Sequence, residues 1–157
     1  MKIVLQVVDN ASVEIEGKVI SKIGNGFLLL VGVCEGDSDE NAIKLADKVS
    51  KLRVFPDSNG KTNLSLDDVN GSILSVSQFT LCADLSGSNR PSFSKAAKKD
   101  EAIRLYELFN KELRNKGIEV YTGEFGADMR VHLVNNGPFT LVLENWDVRK
   151  LIVEFCR

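Results

Sequence analysis

Gly24-Asn25-Gly26-Phe27-Leu28-Leu29-Leu30-Val31-Gly32-Val33 is the stretch whose reading decides the fold. The Gly-Asn-Gly opening is a turn, and positions 27–33 are apolar almost throughout. A strand with one wet face alternates, so an unbroken apolar run of this length suits a strand covered on both faces. Bounded by glycines, it falls far short of the ~20 apolar residues that cross a bilayer. Upstream, positions 1–8 read as a strand and 12–15 alternate polar with apolar. Glu16-Gly17-Lys18 reads as a tight turn into another strand over 19–23. Short strands at close spacing point to a small barrel or sandwich.

Downstream the period changes. Ala42, Leu45, Ala46, Val49 and Leu52 recur at helical spacing, and Asp37 with Glu40 resembles a capping box ahead of them. A short strand over 53–55 ends at Pro56, 57–61 is loop, and 72–81 has strand character. Residues 83–90 are polar and glycine-bearing, the kind of loop that often carries function. A second helix over 98–116 carries an apolar stripe of Ala102, Leu105, Tyr106, Phe109 and Leu113, stopped by Gly117. Positions 118–122, 129–135 and 140–145 read as strands, and 148–155 as strand or helix. The pattern predicts one α+β domain over residues 1–157. Mixed and antiparallel β-sheets dominate it, forming a barrel-like core with two amphipathic helices packed on it.

The chain has 157 residues, room for one sizeable core, with an ordinary 43% hydrophobic and 27% charged content. Twenty basic residues against twenty-two acidic ones give a net charge of −2. That argues against holding nucleic acid by bulk charge, but not against gripping one end of it through a local patch. The N-terminus lacks the charged and apolar regions of a secretory leader, so neither secretion nor membrane insertion is expected. The three cysteines, Cys34, Cys82 and Cys156, form no CxxC pair. Reduced, buried thiols in a cytoplasmic protein are the expectation.

The absences narrow the chemistry. The one histidine, His132, lies in an alternating segment and reads as a structural or surface residue. No GxSxG, GxxxxGK[ST] or GxGxxG pattern occurs, and no His, Cys, Asp or Glu pair has metal-ligand spacing. An enzyme of this sequence would use no histidine triad, no catalytic zinc and no nucleotide cofactor. Two segments stand out. Ser75-Val76-Ser77-Gln78-Phe79-Thr80-Leu81 is an apolar strand ending in a polar set, equally readable as a site or as a satisfied strand edge. Asn135-Asn136-Gly137-Pro138-Phe139-Thr140 favours a turn. A Gly-Pro bond also takes the cis form at small cost, which would build an acceptor site from main chain.

Ser77–Leu81 (SQFTL), the Arg90-Pro91-Ser92-Phe93 end of the 87–93 loop, Gly123–Met129 (GEFGADM) and Asn135–Thr140 (NNGPFT) together resemble the D-aminoacyl-tRNA deacylase family, also called D-tyrosyl-tRNA deacylase. Leu52–Phe55 and Asn63–Ser65 fit in order, and the similarity covers about residues 1–146. The resemblance implies a cytoplasmic homodimer that hydrolyses the ester joining a D-amino acid to the tRNA 3′ end; the residues themselves offer no metal or cofactor site. It implies that Ser77, Gln78, Phe79 and Thr80 line the pocket for the terminal adenosine and the ester. Gly137 and Pro138 would be inserted from one subunit into its partner's site, near Met129. tRNA is the expected partner; membrane and DNA are not. Backbone N–H groups near Gln78 and Phe79 are candidate oxyanion donors, and water assisted by the ribose hydroxyl is preferred over Thr80 as nucleophile.

Three positions depart from the family pattern. Val7 stands where an arginine is usual, Asn136 replaces an aspartate and Phe139 a valine; the first two bear on how the Gly-Pro loop is anchored. For phosphate contact, Lys95, Lys98, Lys99 and Arg104 cluster near the second helix start, with Lys111, Arg114 and Lys116 further on. Arg90, inside the motif loop, is the best single candidate. The runner-up function is a dimeric protein that binds a nucleic acid end without catalysis.

Overall fold

The computed structural model describes residues 1–145. Eleven elements follow in order: β1 (Lys2–Ile15), β2 (Lys18–Ile23), β3 (Gly26–Gly32), α1 (Asp39–Lys51), β4 (Arg53–Pro56), β5 (Thr62–Ser65), β6 (Ser72–Ser77), a 3-10 turn (Phe79–Cys82), α2 (Lys99–Asn115), β7 (Val120–Thr122) and β8 (Arg130–Glu144). The main sheet runs β2-β1-β3-β6-β7, with β8 also paired to β1. β3–β6 and β6–β7 are parallel and the other pairs antiparallel. Ser21 Oγ on β2 donates to the Thr122 carbonyl on β7, drawing the distant edges together until the sheet nearly closes into a barrel. β4 and β5 form a separate ribbon. No helix among the described residues is long and apolar enough to cross a membrane.

Both faces of β3 are covered, as its unbroken apolar run predicts. Phe27, Leu29 and Val31 pack with Ala42 and Leu45 of α1 and Leu105 and Phe109 of α2; Leu28 points the other way, into the barrel with Val13, Leu74 and Val76. Each fully buried Leu or Phe contributes about 1.5–3 kcal/mol relative to its exposed state. β1 serves both clusters. Ile3, Leu5 and Val7 belong to the helix-side cluster, while Val8, Ala11 and Val13 belong to the barrel cluster. The alternation changes parity at exposed Asp9 and Asn10, where the pairing with β8 slips a residue. The two strands predicted over 1–8 and 12–15 are therefore one strand of 14 residues with a bulge inside it.

Other expectations need correction. The α1 N-cap is Ser38, whose N–H donates to Asn41 Oδ1 at 2.9 Å, and not Asp37. Asp37 is drawn elsewhere: its carboxylate meets the buried Met1 ammonium and accepts the Cys34 N–H at 2.7 Å. β5 is an addition where only a motif fragment was legible. The strand predicted over 72–81 stops at Ser77. The strands predicted over 129–135 and 140–145 are the two ends of β8. The second helix falls within a residue of its predicted bounds at each end.

The thiol expectation is overturned. Cys34 and Cys82 form a disulfide. Cys34 lies just past the end of β3, and the 3-10 turn folds back over that end, bringing Cys82 to it. Nothing in the local sequence encodes this approach between residues 48 apart. Cys156 and the segment predicted over 148–155 lie outside the described residues.

Candidate active site

β6 runs beside β3 until Val31 faces Ser77. The Gln78 N–H still donates to the Val31 carbonyl at 2.8 Å, and then the chain turns out of the sheet. Leu81 N–H returns to the Gln78 carbonyl (3.2 Å) and Ala83 N–H to that of Thr80 (3.1 Å), closing the 3-10 turn. Gly32 makes the close approach possible, since a Cβ there would lie 2.9 Å from both the Gln78 carbonyl oxygen and Leu81 Cβ. Gln78 N–H is thus committed to the sheet and is not an oxyanion donor. The N–H groups of Phe79 and Thr80 open the turn, where a helical segment has no carbonyl of its own to offer them.

A cavity of about 470 Å³ lies beside this turn, within the range of small-molecule sites. Ser77, Gln78 and Phe79 line one side, Phe125 and Met129 the other, and Tyr106 comes from α2. Met129 packs closely on residue 123 because that residue is glycine: a Cβ there would come within 2.4 Å of the Met129 sulfur. Four of the predicted residues, Ser77, Gln78, Phe79 and Met129, therefore share one cavity. Thr80 follows on the turn and is exposed; its Oγ1 accepts the Gln78 Nε2 donor at 2.5 Å. Two participants were not foreseen. Tyr106, legible only as part of an apolar stripe, donates its buried hydroxyl to the Ser75 carbonyl at 2.7 Å, and burial pushes its pKa up. Phe93 sets its ring edge on Phe79, with centroids 5.1 Å apart.

The other predicted residues lie outside the cavity. Arg90 is exposed on the loop, where its backbone is held by Ser88, and its guanidinium has no partner among the described residues. The loop itself is pinned where Asp84 and Ser92 exchange backbone hydrogen bonds (2.7 and 3.1 Å) and where Lys95 pairs with Asp84 at 2.8 Å. The Lys95 ammonium, with Ser86, holds the Asp84 carboxyl well below the usual carboxylate range. His132 is exposed and faces Glu14 at 3.1 Å, so it takes no part in the cavity.

The basic cluster is largely consumed by partners. Arg104 pairs with Asp39 and Glu101, Lys116 with Asp47, and Arg114 donates to the Val120 carbonyl. Lys98, Lys99 and Lys111 remain without a carboxylate among the described residues, and Lys99 borders the cavity.

Gly137 and Pro138 sit on an excursion of β8. Thr140 pairs with Gln6 and Asn135 with Val8, so residues 136–139 loop out opposite Val7. Their peptide bond is cis and both are exposed. The base of the loop is laced. Asn135 Nδ2 donates to the carbonyls of Val7 (2.9 Å) and Phe139 (3.4 Å), Asn136 Nδ2 to Asp9 (2.8 Å), and Gln6 Nε2 to Thr140 Oγ1 (3.1 Å).

A family model described as D-Tyr-tRNA(Tyr) deacylase matches residues 4–144. The chain belongs to that family. A D-aminoacyl-tRNA deacylase of Lactobacillus acidophilus is 57% identical over 144 residues, spanning 92% of this chain and 99% of the relative. One from Bacillus velezensis is 52% identical over 145 residues, with the same coverage. A solved structure called c-Myc DNA Unwinding Element Binding Protein superimposes with a TM-score of 0.86 at 38% identity, covering 92% of this chain and 99% of that one. A probable eukaryotic D-amino acid tRNA deacylase shares the fold at a TM-score of 0.76 and 18% identity, over 90% of this chain and 97% of the other. At Val7 and Asn136 the base of the loop is tied to β1. Asn135 grips the main chain of Val7, whatever its side chain, and Asn136 meets Asp9 as a neutral donor.

Proposed function

We infer that this chain is an ester hydrolase that cleaves D-aminoacyl-tRNA into free D-amino acid and tRNA. What carries the reading is the 57% identity to a D-aminoacyl-tRNA deacylase across nearly the whole of both chains. An aminoacyl ester is already labile, so positioning and oxyanion stabilisation supply most of the acceleration without a strong base. The 470 Å³ cavity takes the terminal adenosine, and the Phe79 and Thr80 N–H groups receive the developing oxyanion. Thr80 is a poor nucleophile, since its Oγ1 already accepts a bond from Gln78 and no base is hydrogen-bonded to it. Water attacks instead, assisted by the ribose hydroxyl next to the ester.

The site is composite in this reading. Gly137 and Pro138 are exposed and stand apart from their own chain's cavity, which suits insertion into the cavity of a second copy. Their carbonyls accept the substrate ammonium. With amino group and ester both fixed, the two remaining directions at Cα are set, and an L side chain meets the wall. Overpacking costs about 1–3 kcal/mol or more. Glycyl-tRNA, having no side chain to reject, is a secondary substrate. Arg90, Lys98 and Lys99 are the phosphate contacts, and the enzyme works in the cytoplasm with its tRNA.

The test is deacylation of D- and L-tyrosyl-tRNA by the full chain. D-Tyrosyl-tRNA is hydrolysed at least about fivefold faster, the lower end of that cost. Equal rates remove the stereochemical argument. Binding of tRNA without hydrolysis favours a second reading, a nucleic-acid-end binding protein, which the name of the 38%-identical neighbour keeps in view.

A further inference from the structure

We propose that Cys34 and Cys82 are a thiol–disulfide exchange site for a dithiol reductant, and that the bond between them sets the position of the 3-10 turn beside the cavity. The inference rests on the deacylase reading only for its consequence in activity. Cys82 is the last residue of the turn that carries Phe79 and Thr80. Cys34 follows β3, and its backbone is held by two contacts. It bridges to Ala96, which lines the cavity, and its N–H is held by Asp37 at 2.7 Å. The disulfide therefore clamps the far end of the turn to the chain just past β3, the strand that holds its near end through Gln78 N–H and Val31. Without it, the far end is fixed by the Ala83-to-Thr80 bond, by packing of Leu81 over Gly32 and by the Asp84–Ser92 backbone pair that follows.

The chemistry is asymmetric. Cys82 is 2% exposed, whereas Cys34 is only half-buried, so Cys34 is the sulfur an incoming thiolate reaches. A new sulfur–sulfur bond forms to Cys34, the Cys34–Cys82 bond breaks, and Cys82 leaves as a thiolate that takes up a proton. The second thiol of the reductant then attacks the mixed disulfide, releasing Cys34 as a thiolate and leaving the reductant as a disulfide. In a reducing compartment such a pair is a switch and not a permanent staple, the usual standing of disulfides there. Because attack on the ester depends on placing two N–H groups within a fraction of an ångström, release of the turn slows turnover on the order of tenfold.

The experiment uses full-length protein with Cys156→Ser, so that only two sulfurs report. It is oxidised with diamide or reduced with dithiothreitol and then freed of reagent. Thiol alkylation read by mass spectrometry counts the bond. Hydrogen exchange over residues 78–83 reads the turn, and single-turnover release of D-tyrosine reads the chemistry. Expected are full oxidation under diamide, faster exchange of the turn after reduction, and a tenfold slower release that re-oxidation restores. Cys34→Ser, which leaves the buried Cys82 packing in place, behaves as the reduced form under both treatments. Two free thiols after diamide, or identical exchange and rate in both states, overturn the proposal. If neither state releases D-tyrosine, the deacylase reading fails by itself. The exchange difference then decides: present, it supports the clamp; absent, it sinks it.

Discussion

Replacing Gly32 by alanine adds one methyl group at the point where β3 supports the turn. That Cβ would stand 2.9 Å from the Gln78 carbonyl oxygen, 2.9 Å from Leu81 Cβ and 3.5 Å from Cys82 sulfur. Ordinary contact begins near 3.4 Å, so the turn must retreat by about half an ångström or β3 must yield. Gly32 is not in the left-handed region, so the methyl group acts by contact and not by backbone strain. Overpacking of this kind costs about 1–3 kcal/mol, a fall in Tm of about 2–12 °C for a chain of this size. The retreat also carries the Phe79 and Thr80 N–H groups away from the ester, and a displacement of that size lowers the single-turnover rate about tenfold or more. Gly24→Ala is the control: its Cβ would meet nothing within 4 Å, and both Tm and rate stay at wild type. The readouts are thermal unfolding by circular dichroism and release of D-tyrosine from tRNA. An unchanged Tm for Gly32→Ala refutes the tight contact. A lowered Tm with an unchanged rate refutes the role given to the turn.

Thr80→Ala removes a hydroxyl that accepts a bond from Gln78 but attacks nothing, so kcat falls by several-fold and activity persists; complete loss with intact fold and tRNA binding would restore Thr80 as nucleophile. Asn135→Ala deletes two bonds at the base of the 136–139 loop, at about 1 kcal/mol each. It lowers deacylation more than stability; circular dichroism beside the rate assay separates the two. The Asp84–Lys95 tie follows pH with a definite sign. The folded carboxyl lies below its ordinary 3.8, so its contribution is fully present above that value and is lost as pH falls below it toward the folded one. Hydrogen exchange of residues 84–95 therefore stays flat from pH 8 to 5, after correction for intrinsic rates, and Asp84→Asn raises it throughout.

How much could be read beforehand follows from which signals are local. Period identified α1, α2 and the doubly covered β3, because burial writes itself into spacing. The bulge in β1 was invisible, since Asp9 and Asn10 look like any polar pair between strands; only the pairing with β8 joins the halves. Ser77, Gln78, Phe79 and Met129 are legible as motif residues, and all four line one cavity. The end of β6 was misplaced because Phe79 and Leu81 continue the apolar alternation while the chain leaves the sheet. Its cause is Gly32, on another strand. The disulfide and the pairs that occupy Lys95, Arg104 and Lys116 depend on tertiary approach, which neither spacing nor charge count encodes.

β1 hydrogen-bonds to β8 along nearly its whole length, to β3 through its first half and to β2 through its second. Its side chains belong to the helix-packed layer before the bulge and to the barrel interior after it. Neither layer can melt while the other stays native, because both would have to give up the same strand. Unfolding of this domain is therefore one cooperative transition, and amides of β1 on either side of the bulge, such as those of Leu5 and Val13, exchange only when both layers open.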